Sequence, residues 1–213
     1  MENHQGILGL STKTLLHVGC GHKRKSQTTP GFNLPEWDEI RLDIDPKVQP
    51  DLLGTMVDMS AVGSGTIDAV FSSHNIEHLY PFEVPIALKE FLRVLTPQGF
   101  LVLTCPDLQS VCQLVANDQL TDTAYVSPAG PITPLDILFG FRQSLAKGDL
   151  YMAHRCGFTR KVLHGTLKAA GFQSVVTFAR PRQPFFDLWA LASKSTLSKE
   201  TITAMAADHF PRS

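Results

Sequence analysis

Short apolar runs that end at glycine or polar residues recur along the first half of the chain. Residues 14–18 (T-L-L-H-V) lead into Gly19-Cys20-Gly21, which predicts a buried strand entering a tight turn. Residues 39–44 alternate as a half-buried strand does, and residues 100–104 are almost continuously apolar, which suits a strand covered on both faces. The strands predicted in this half are 14–18, 39–44, 56–59, 67–73 and 100–104.

Helical spacing occurs between and after these strands. Residues 82–95 place apolar side chains three or four positions apart, which predicts an amphipathic helix, and residues 96–99 predict the turn that ends it. Residues 159–170 predict a helix with Thr159 as N-cap and Gly171 as its stop. The other predicted segments are a loose arm over 1–13, a loop with at most one helical turn over 22–37, helices over 108–117 and 135–146, strands over 172–179 and 186–193, and an exposed amphipathic helix from residue 196.

Alternation of strands and helices predicts an α/β fold with a parallel sheet. Right-handed crossovers place the loops that follow the strands at one edge of such a sheet, where ligands bind. The length of 213 residues predicts a single domain over 1–213. Residues 108–153 interrupt the pattern and are predicted as a lid or substrate insertion, with an apolar pocket and one cation from Phe139, Phe141, Arg142 and Tyr151. A packing subdomain or a dimer surface explains the same residues equally well.

Composition narrows the classes of partner. Nineteen basic and twenty acidic residues give a net charge of −1, so a general nucleic-acid binder is not expected. The four cysteines form no CxxC pair and are expected to be free thiols in a reducing compartment. No signal peptide and no apolar run of eighteen residues is present, so we expect a cytoplasmic protein without a membrane partner. A homodimer is compatible with the sequence.

A glycine pair and an acidic residue form the first candidate site. Gly19-x-Gly21 follows the first predicted strand, and Asp43 follows 22 residues after Gly21. Glycines let the backbone approach a ligand, and an acidic residue at this distance accepts hydrogen bonds from ribose hydroxyls. A nicotinamide dinucleotide site would need a third glycine where Arg24 stands, so a nucleoside ligand without phosphates fits better. A tight turn with an ordinary surface Asp is the alternative.

Asp58-Met59 forms a second candidate pair at the same predicted edge. Asp58 would accept a hydrogen bond from an adenine amino group, and Met59 would pack on the ring. The alternative is a turn Asp beside a core Met.

Residues His74 to Leu79 (H-N-I-E-H-L) contain the H-x-x-E-H pattern of an inverted zinc-protease motif. Two histidines four positions apart on a helix hold Zn²⁺ from one face. Here the motif stands at a strand end and no third ligand is evident, so no metal site is predicted. The alternatives are a capped helix N-terminus, or residues that line a cofactor or substrate edge.

Six ordered segments together resemble the class I S-adenosylmethionine-dependent methyltransferases. They are L-L-H-V-G-C-G, L-D-I-D-P, V-D-M, I-D-A-V-F-S-S-H-N-I-E-H-L, R-V-L-T-P-Q-G-F-L and C-P-D-L, within residues 14–107. The chain is most similar to a small bacterial predicted-methyltransferase group with S-x-H-x-x-E-H-L after the fourth strand. The resemblance implies a three-layer Rossmann-like sheet that is mostly parallel, with an antiparallel last strand.

The resemblance also implies S-adenosylmethionine as the cofactor and a role for each matching position. Gly19, Cys20 and Gly21 would lie along its amino-acid and ribose parts, and His17 stands where the family usually has an acidic residue. Lys23 stands at the third glycine position. The remaining implied cofactor contacts are Asp43 to the ribose, Ile44 to the adenine, Asp58 and Met59 at the adenine amino group, and Ser73 and His74 near the methionine part and the substrate.

The implied activity is methyl transfer to a small-molecule acceptor by in-line displacement at the sulfonium methyl. If the acceptor is a hydroxyl, His74, His78 and His154 are the candidate general bases, because histidine titrates near neutrality. Asp107 would orient a substrate or cap the following helix. The signature Asn-Pro-Pro-aromatic of many nucleic-acid amino-group methylases is missing after the fourth strand. The alternatives are a cofactor-binding protein without catalysis and a zinc hydrolase using His74, Glu77 and His78.

Overall fold

A seven-stranded sheet forms the centre of the computed structural model, which describes residues 12–183 and 185–211. Its strand order is β3-β2-β1-β4-β5-β9-β8. The first five strands are parallel, and β9 is antiparallel to both β5 and β8. The strands of this sheet are β1 (Lys13–Val18), β2 (Trp37–Asp43), β3 (Leu52–Leu53), β4 (Ile67–Ser73), β5 (Leu95–Pro106), β8 (Ser174–Arg180) and β9 (Asp187–Ser193).

Helices lie on both faces of the sheet, each against its own apolar cluster. On one face α1 and α5 pack on β1, β4 and β5 through side chains such as Leu88, Phe91 and Leu163. On the other face α6 packs Ile202 and Ala206 with Phe32 and Phe71. The α-helices are α1 (Val84–Val94), α2 (Leu108–Ala116), α3 (Pro134–Phe139), α4 (Arg142–Leu145), α5 (Arg160–Ala170) and α6 (Lys199–His209). The predicted α/β class, three layers and antiparallel last strand are confirmed.

Three predictions about individual elements are wrong: the position of one strand, the nature of one turn and the exposure of the tail helix. The third strand is Leu52–Leu53 and not 56–59, because Asp58 N–H donates to Thr55 O (3.1 Å) and closes a turn there. The predicted turn at 96–99 lies within β5 as a bulge, where the register shifts from Ile67 opposite Leu95 to Ala69 opposite Phe100. The tail helix is present, but one face of it is buried in the core instead of exposed.

Residues 22–37 contain two short 3₁₀ helices, 25–27 and 30–33, where one helical turn at most is predicted. The predicted arm 1–13 lies outside the described residues except for 12 and 13, and Lys13 already belongs to β1. Thr159 caps α5, with Val162 N–H donating to its hydroxyl, and Gly171 ends that helix at φ 116°, as predicted.

The segment 108–153 packs around a small apolar cluster that also includes Phe186, which lies outside the segment. It contains α2, a hairpin of β6 (Tyr125–Ser127) and β7 (Gly130–Ile132), and α3 and α4. The helix predicted over 135–146 is broken at Gly140 (φ 101°), where a Cβ would lie 2.0 Å from Met152 O. Arg142 pairs with Asp136, with its Nε 2.8 Å from Oδ1, so it is not the free pocket cation that the sequence suggests. Phe141 is partly buried against this small core, whereas Phe139 and Tyr151 are exposed.

Candidate functional site at the carboxyl edge of the sheet

The glycine turn after β1 is held against both neighbouring strands. Gly19 and Gly21 have φ of 64° and 52°, which glycine adopts without steric cost. Gly19 N–H donates to Leu42 O on β2 (2.8 Å). A Cβ on Gly19 would lie 2.2 Å from the Asn75 side chain, whereas one on Gly21 would meet no described atom within 4 Å. The turn is therefore closely packed at Gly19 and open at Gly21.

Asp43 lies beside that open position. Its Oδ2 accepts the Gly21 N–H (2.7 Å) and its Oδ1 accepts the Asp45 N–H (2.9 Å). A carboxylate has about four lone-pair sites, so each oxygen can accept a further hydrogen bond. Two ribose hydroxyls are donors of the kind that would use these positions, which means that the residues present fit a nucleoside ligand.

Arg41 is a buried cation that the sequence analysis did not identify. It is 2% exposed, and its guanidinium donates to Gly21 O, to Lys23 O (3.2 Å) and to Gln49 O (2.9 Å). It thus connects the glycine turn to the loop after β2. The alternation of residues 39–44 is a sequence signal for this, because Glu39, Arg41 and Asp43 then fall on one face of the strand.

His17 is buried on β1 and does not face the open turn position. Its Nδ1 lies 2.9 Å from Glu39 Oε1 on β2. Burial lowers the pKa of His17 more than the Glu39 carboxylate raises it, so the ring is neutral. Cys20 is also buried, and burial raises the pKa of its thiol to about 11. Both residues hold the base of the turn, and their predicted contact with the cofactor remains a prediction.

The residues predicted to surround the adenine, namely Ile44, Asp58 and Met59, differ in how exposed they are. Ile44 is 45% exposed next to Asp43, and Asp58 is exposed with its Oδ1 accepting Ser60 N–H (3.0 Å). Met59 is 1% exposed in the core, and its backbone N–H donates to Glu90 Oε2 on α1 (2.8 Å). Its side chain therefore takes the core position that the sequence left open as the alternative.

Asn75 connects the ends of β1 and β4. Its Nδ2 donates to Val18 O (3.1 Å) and Ser73 O (3.0 Å), and its side chain faces Gly19. The Ser73 hydroxyl lies 2.7 Å from that of Thr104 on β5. These contacts place the segment after β4 directly beside the glycine turn.

His74 follows β4 with φ 55° and is exposed at this edge. Burial would lower the pKa of His74, but 48% of its side chain is exposed and the Glu77 carboxylate at 3.4 Å raises the pKa overall. Burial alone would raise the pKa of Glu77, and His74 beside it lowers the pKa instead. Residues 76–78 form a 3₁₀ helix, so the H-x-x-E-H residues do not present two histidines from one α-helical face.

His154 is brought to Glu77 and His78 from the far end of the insertion. The rings of His78 and His154 are 4.9 Å apart between centroids. Burial lowers the pKa of His154 more than the Glu77 carboxylate raises it, so its imidazole is neutral at pH 7. The three predicted bases therefore lie near one another, with His74 the most exposed. Asp107 acts as the N-cap of α2, accepting Gln109 N–H (3.2 Å).

A groove of about 440 Å³ opens beside α2, lined by Asp107, Gln113, Arg160, Pro181 and Phe186 among others. None of the predicted cofactor residues lines it.

Among residues 12–183 and 185–211, no helix has the length and apolar content that a bilayer crossing requires. All four cysteines fall within the described residues and are free.

Comparisons with known proteins find a family model that matches part of the chain and solved structures that resemble its fold. Residues 16–103 match the family model described as a methyltransferase domain. A search of curated proteins finds no match. The chain is similar in structure to a protein of Pyrococcus horikoshii at 14% identity, with 86% of this chain and 82% of that chain covered and a TM-score of 0.58.

Two further solved structures carry methyltransferase names. A S-adenosylmethionine-dependent methyltransferase of Methanosarcina mazei is 17% identical, with 88% and 94% of the two chains covered and a TM-score of 0.56. The 1,6-didemethyltoxoflavin-N1-methyltransferase of Burkholderia thailandensis, solved with bound 1,6-didemethyltoxoflavin and S-adenosylhomocysteine, is 15% identical, with 86% of this chain and 72% of that chain covered and a TM-score of 0.51. S-adenosylmethionine and S-adenosylhomocysteine are named for these two neighbours, which share the fold of this chain. Residues 16–103 match a methyltransferase-domain model, and the chain has the Rossmann-like fold of the class I S-adenosylmethionine-dependent methyltransferases.

Proposed function

We propose that the protein binds S-adenosylmethionine at the glycine turn and transfers its methyl group to a small-molecule acceptor. The observation that carries the proposal is the pairing of an open Gly21 with the Asp43 carboxylate, whose two oxygens are oriented by backbone N–H groups. When bound, the sulfonium supplies an activated methyl group. The enzyme's task is then to align an acceptor, and alignment alone contributes about 7–11 kcal/mol to such reactions.

The chain's own residues divide this task. Gly19, Cys20 and Gly21 would follow the amino-acid and ribose parts of the cofactor, while Asp43 accepts from the ribose hydroxyls. Ile44, Asp58 and the backbone at Met59 would surround the adenine, with His17 supporting the turn from below. Ser73 and His74, after β4, would lie near the methionine part and the acceptor.

His74 is the best placed of the three histidines to remove a proton from a hydroxyl acceptor. It is the exposed member of the group and lies directly after β4, whereas His78 and His154 are partly covered by the insertion. A base at this point typically contributes about 10²–10⁴-fold to rate. The segment 108–153 would cover the acceptor and exclude water, as lids do in other enzymes.

The first test is calorimetric titration with S-adenosylhomocysteine. Wild type should bind with micromolar affinity, and Asp43→Ala should weaken binding by about 10- to 100-fold, because hydrogen bonds to a charged group contribute about 1.5–3 kcal/mol. Asp45→Ala is the matched control. That carboxylate caps the next 3₁₀ turn by accepting Lys47 N–H and should leave the affinity within about twofold.

Absence of binding to wild type at millimolar ligand would overturn the proposal, as would equal affinity in Asp43→Ala. If wild type binds S-adenosylhomocysteine and Asp43→Ala binds it more weakly, hydroxyl-, carboxyl- and amine-bearing acceptors are then screened for methylated product. Binding without turnover on any acceptor would favour a cofactor-binding protein that lacks catalysis.

A further inference from the structure

Glu77 is a buried carboxylate whose hydrogen-bonding needs are unmet. It is 1% exposed, and neither of its carboxylate oxygens has a hydrogen-bond partner among the residues that the structure describes. The nearest cation, His74 Nδ1, lies 3.4 Å from Oε1 without the geometry of a hydrogen bond. A buried carboxylate costs several kcal/mol unless it is both paired and hydrogen-bonded, so a further positive group within bonding distance of its oxygens would stabilise Glu77.

Two imidazoles lie within reach of that carboxylate. One ligating atom each from Glu77, His78 and His154 falls within 4.8 Å of the other two. The backbone holds the three residues together, because Arg155 N–H and Cys156 N–H both donate to Glu77 O (2.8 and 3.2 Å). The cluster is therefore built by main-chain docking of the loop after the insertion onto the segment after β4.

The hydrogen bonds of both rings fix which nitrogen is available. His78 Nδ1 is 3.1 Å from Ala153 O, and His154 Nδ1 is 2.7 Å from Ile137 O. A carbonyl oxygen only accepts, so Nδ1 carries the proton in both rings. When the ring carries no second proton, its Nε2 lone pair is then the one available to a ligand. Metal-ligating histidines commonly show this arrangement, in which the other ring N–H donates to a carbonyl or carboxylate.

We propose that Glu77, His78 and His154 bind one divalent transition-metal ion, zinc in the first instance, through a carboxylate oxygen and two Nε2 atoms. Imidazole and carboxylate suit zinc, and imidazole ligands disfavour magnesium and calcium. Three protein ligands leave a coordination position for water or for an oxygen atom of a bound molecule. Glu77 and His154 also line a small cavity whose other walls include Leu108, Val111, Ile137 and Leu138.

This ligand set differs from the H-x-x-E-H hypothesis of the sequence. His74 stands outside the 3₁₀ helix and contacts Glu77 as a neighbour, while the third ligand comes from His154, 76 positions after His78. Metal binding here does not depend on the proposed methyl transfer.

The test uses the full chain purified without a polyhistidine tag and stripped with a chelator. Zn²⁺ is titrated in competition with a chromogenic chelator, and Co²⁺ is added separately to record visible absorption from its coordination sphere. Wild type should bind one equivalent of Zn²⁺, and millimolar Mg²⁺ should not compete. Bound Zn²⁺ should also raise the unfolding temperature, since a ligand of the native state stabilises it.

Glu77→Gln, His78→Gln and His154→Gln should each weaken Zn²⁺ binding at least tenfold and change the Co²⁺ spectrum. His164→Gln, on the exposed face of α5, is the matched control and should leave both unchanged. The wild-type titration does not depend on whether the variants fold, and failure of wild type to bind Zn²⁺ would by itself overturn the proposal. So would equal affinity in wild type and Glu77→Gln. Titration of the same samples with S-adenosylhomocysteine separates this outcome from failure of the cofactor site.

Discussion

The carboxylate of Glu39 on β2 lies 2.9 Å from the imidazole of His17 on β1. His17 stands two positions before the first glycine of the turn, where the resemblance leads one to expect an acidic residue. The neighbouring strand therefore supplies a carboxylate to this buried position.

Removing that partner should destabilise the protein. Glu39→Ala leaves the His17 ring buried without its hydrogen bond, so we expect the free energy of unfolding to fall by about 1–3 kcal/mol. Urea denaturation measures the change. Asp38→Ala, at an exposed neighbouring position on the same strand, should change it by less than about 0.5 kcal/mol. Equal effects of the two substitutions would contradict the pairing.

Gly19 and Gly65 provide a matched pair for testing how tightly the turn is packed. Their φ angles are 64° and 68°, but only a Cβ on Gly19 would collide, with Asn75 at 2.2 Å. Gly19→Ala should therefore lower the free energy of unfolding by about 1–3 kcal/mol more than Gly65→Ala, and it should weaken S-adenosylhomocysteine binding. Denaturation and calorimetry of both variants test this. Identical losses would mean that backbone strain alone matters at Gly19.

Arg41 should affect both stability and ligand affinity. Lysine cannot reproduce a guanidinium that donates to several carbonyl oxygens at once, so Arg41→Lys should cost about 1–3 kcal/mol of stability. Because Gly21 and Lys23 are among its partners, the affinity for S-adenosylhomocysteine should fall at least fivefold as well. Arg24→Lys, an exposed change of the same type on the same loop, is the control. Unchanged affinity in Arg41→Lys would separate Arg41 from the ligand site.

Stability should depend on pH through His209. Burial lowers the pKa of His209 to about 4 from an ordinary value of 6.5, although Asp208 opposes the shift. The unfolded chain then binds more protons than the native state between these values. The contribution of His209 to the free energy of unfolding is therefore largest above pH 6.5. This contribution decreases by about 3 kcal/mol as the pH falls toward 4.

His209→Gln can keep the contact with the Thr29 hydroxyl, which lies 2.8 Å from Nδ1, and cannot titrate. Its unfolding free energy should therefore vary less between pH 6.5 and 4 than that of wild type, measured by urea denaturation across the range. His17 contributes in the same direction in both proteins and is removed by taking the difference. His164→Gln should retain the wild-type slope. A wild-type slope in His209→Gln would refute the assignment.

The sheet could be predicted because its strands carry strong local signals. Apolar runs such as 67–73 and 100–104 identify their strands with little help from the rest of the chain. β3 could not be found in the same way, since it has two residues and forms where Leu42 pairs with Leu52. The break between α3 and α4 depends on Gly140 meeting Met152, a contact between segments that periodicity does not encode.

The arrangement of the candidate site could be predicted where it depends on short spacings along the chain, and it could not be predicted where distant segments pack together. Gly19, Gly21 and Asp43 lie together because β1 and β2 are neighbouring parallel strands. Arg41 was missed because charged residues are seldom fully buried. His154 is predicted from the sequence only as a base. Its approach to Glu77 follows from the backbone hydrogen bonds that Arg155 and Cys156 donate to Glu77 O, and these residues lie far from Glu77 along the chain.

The insertion leaves and rejoins the sheet at one point. Asp107 and Phe158 form an isolated parallel bridge, and Leu108 N–H donates to Phe158 O (2.9 Å). The residues between them are thus joined at their two ends, and they pack into a small apolar cluster that also includes Phe186 from outside the segment. A segment joined at its base tolerates changes in length better than the strands around it, so this is where we expect the chain to vary in length with the least effect on strand order. If the proposed methyl transfer holds, the choice of acceptor could therefore diverge through this segment while the glycine turn and Asp43 stay the same.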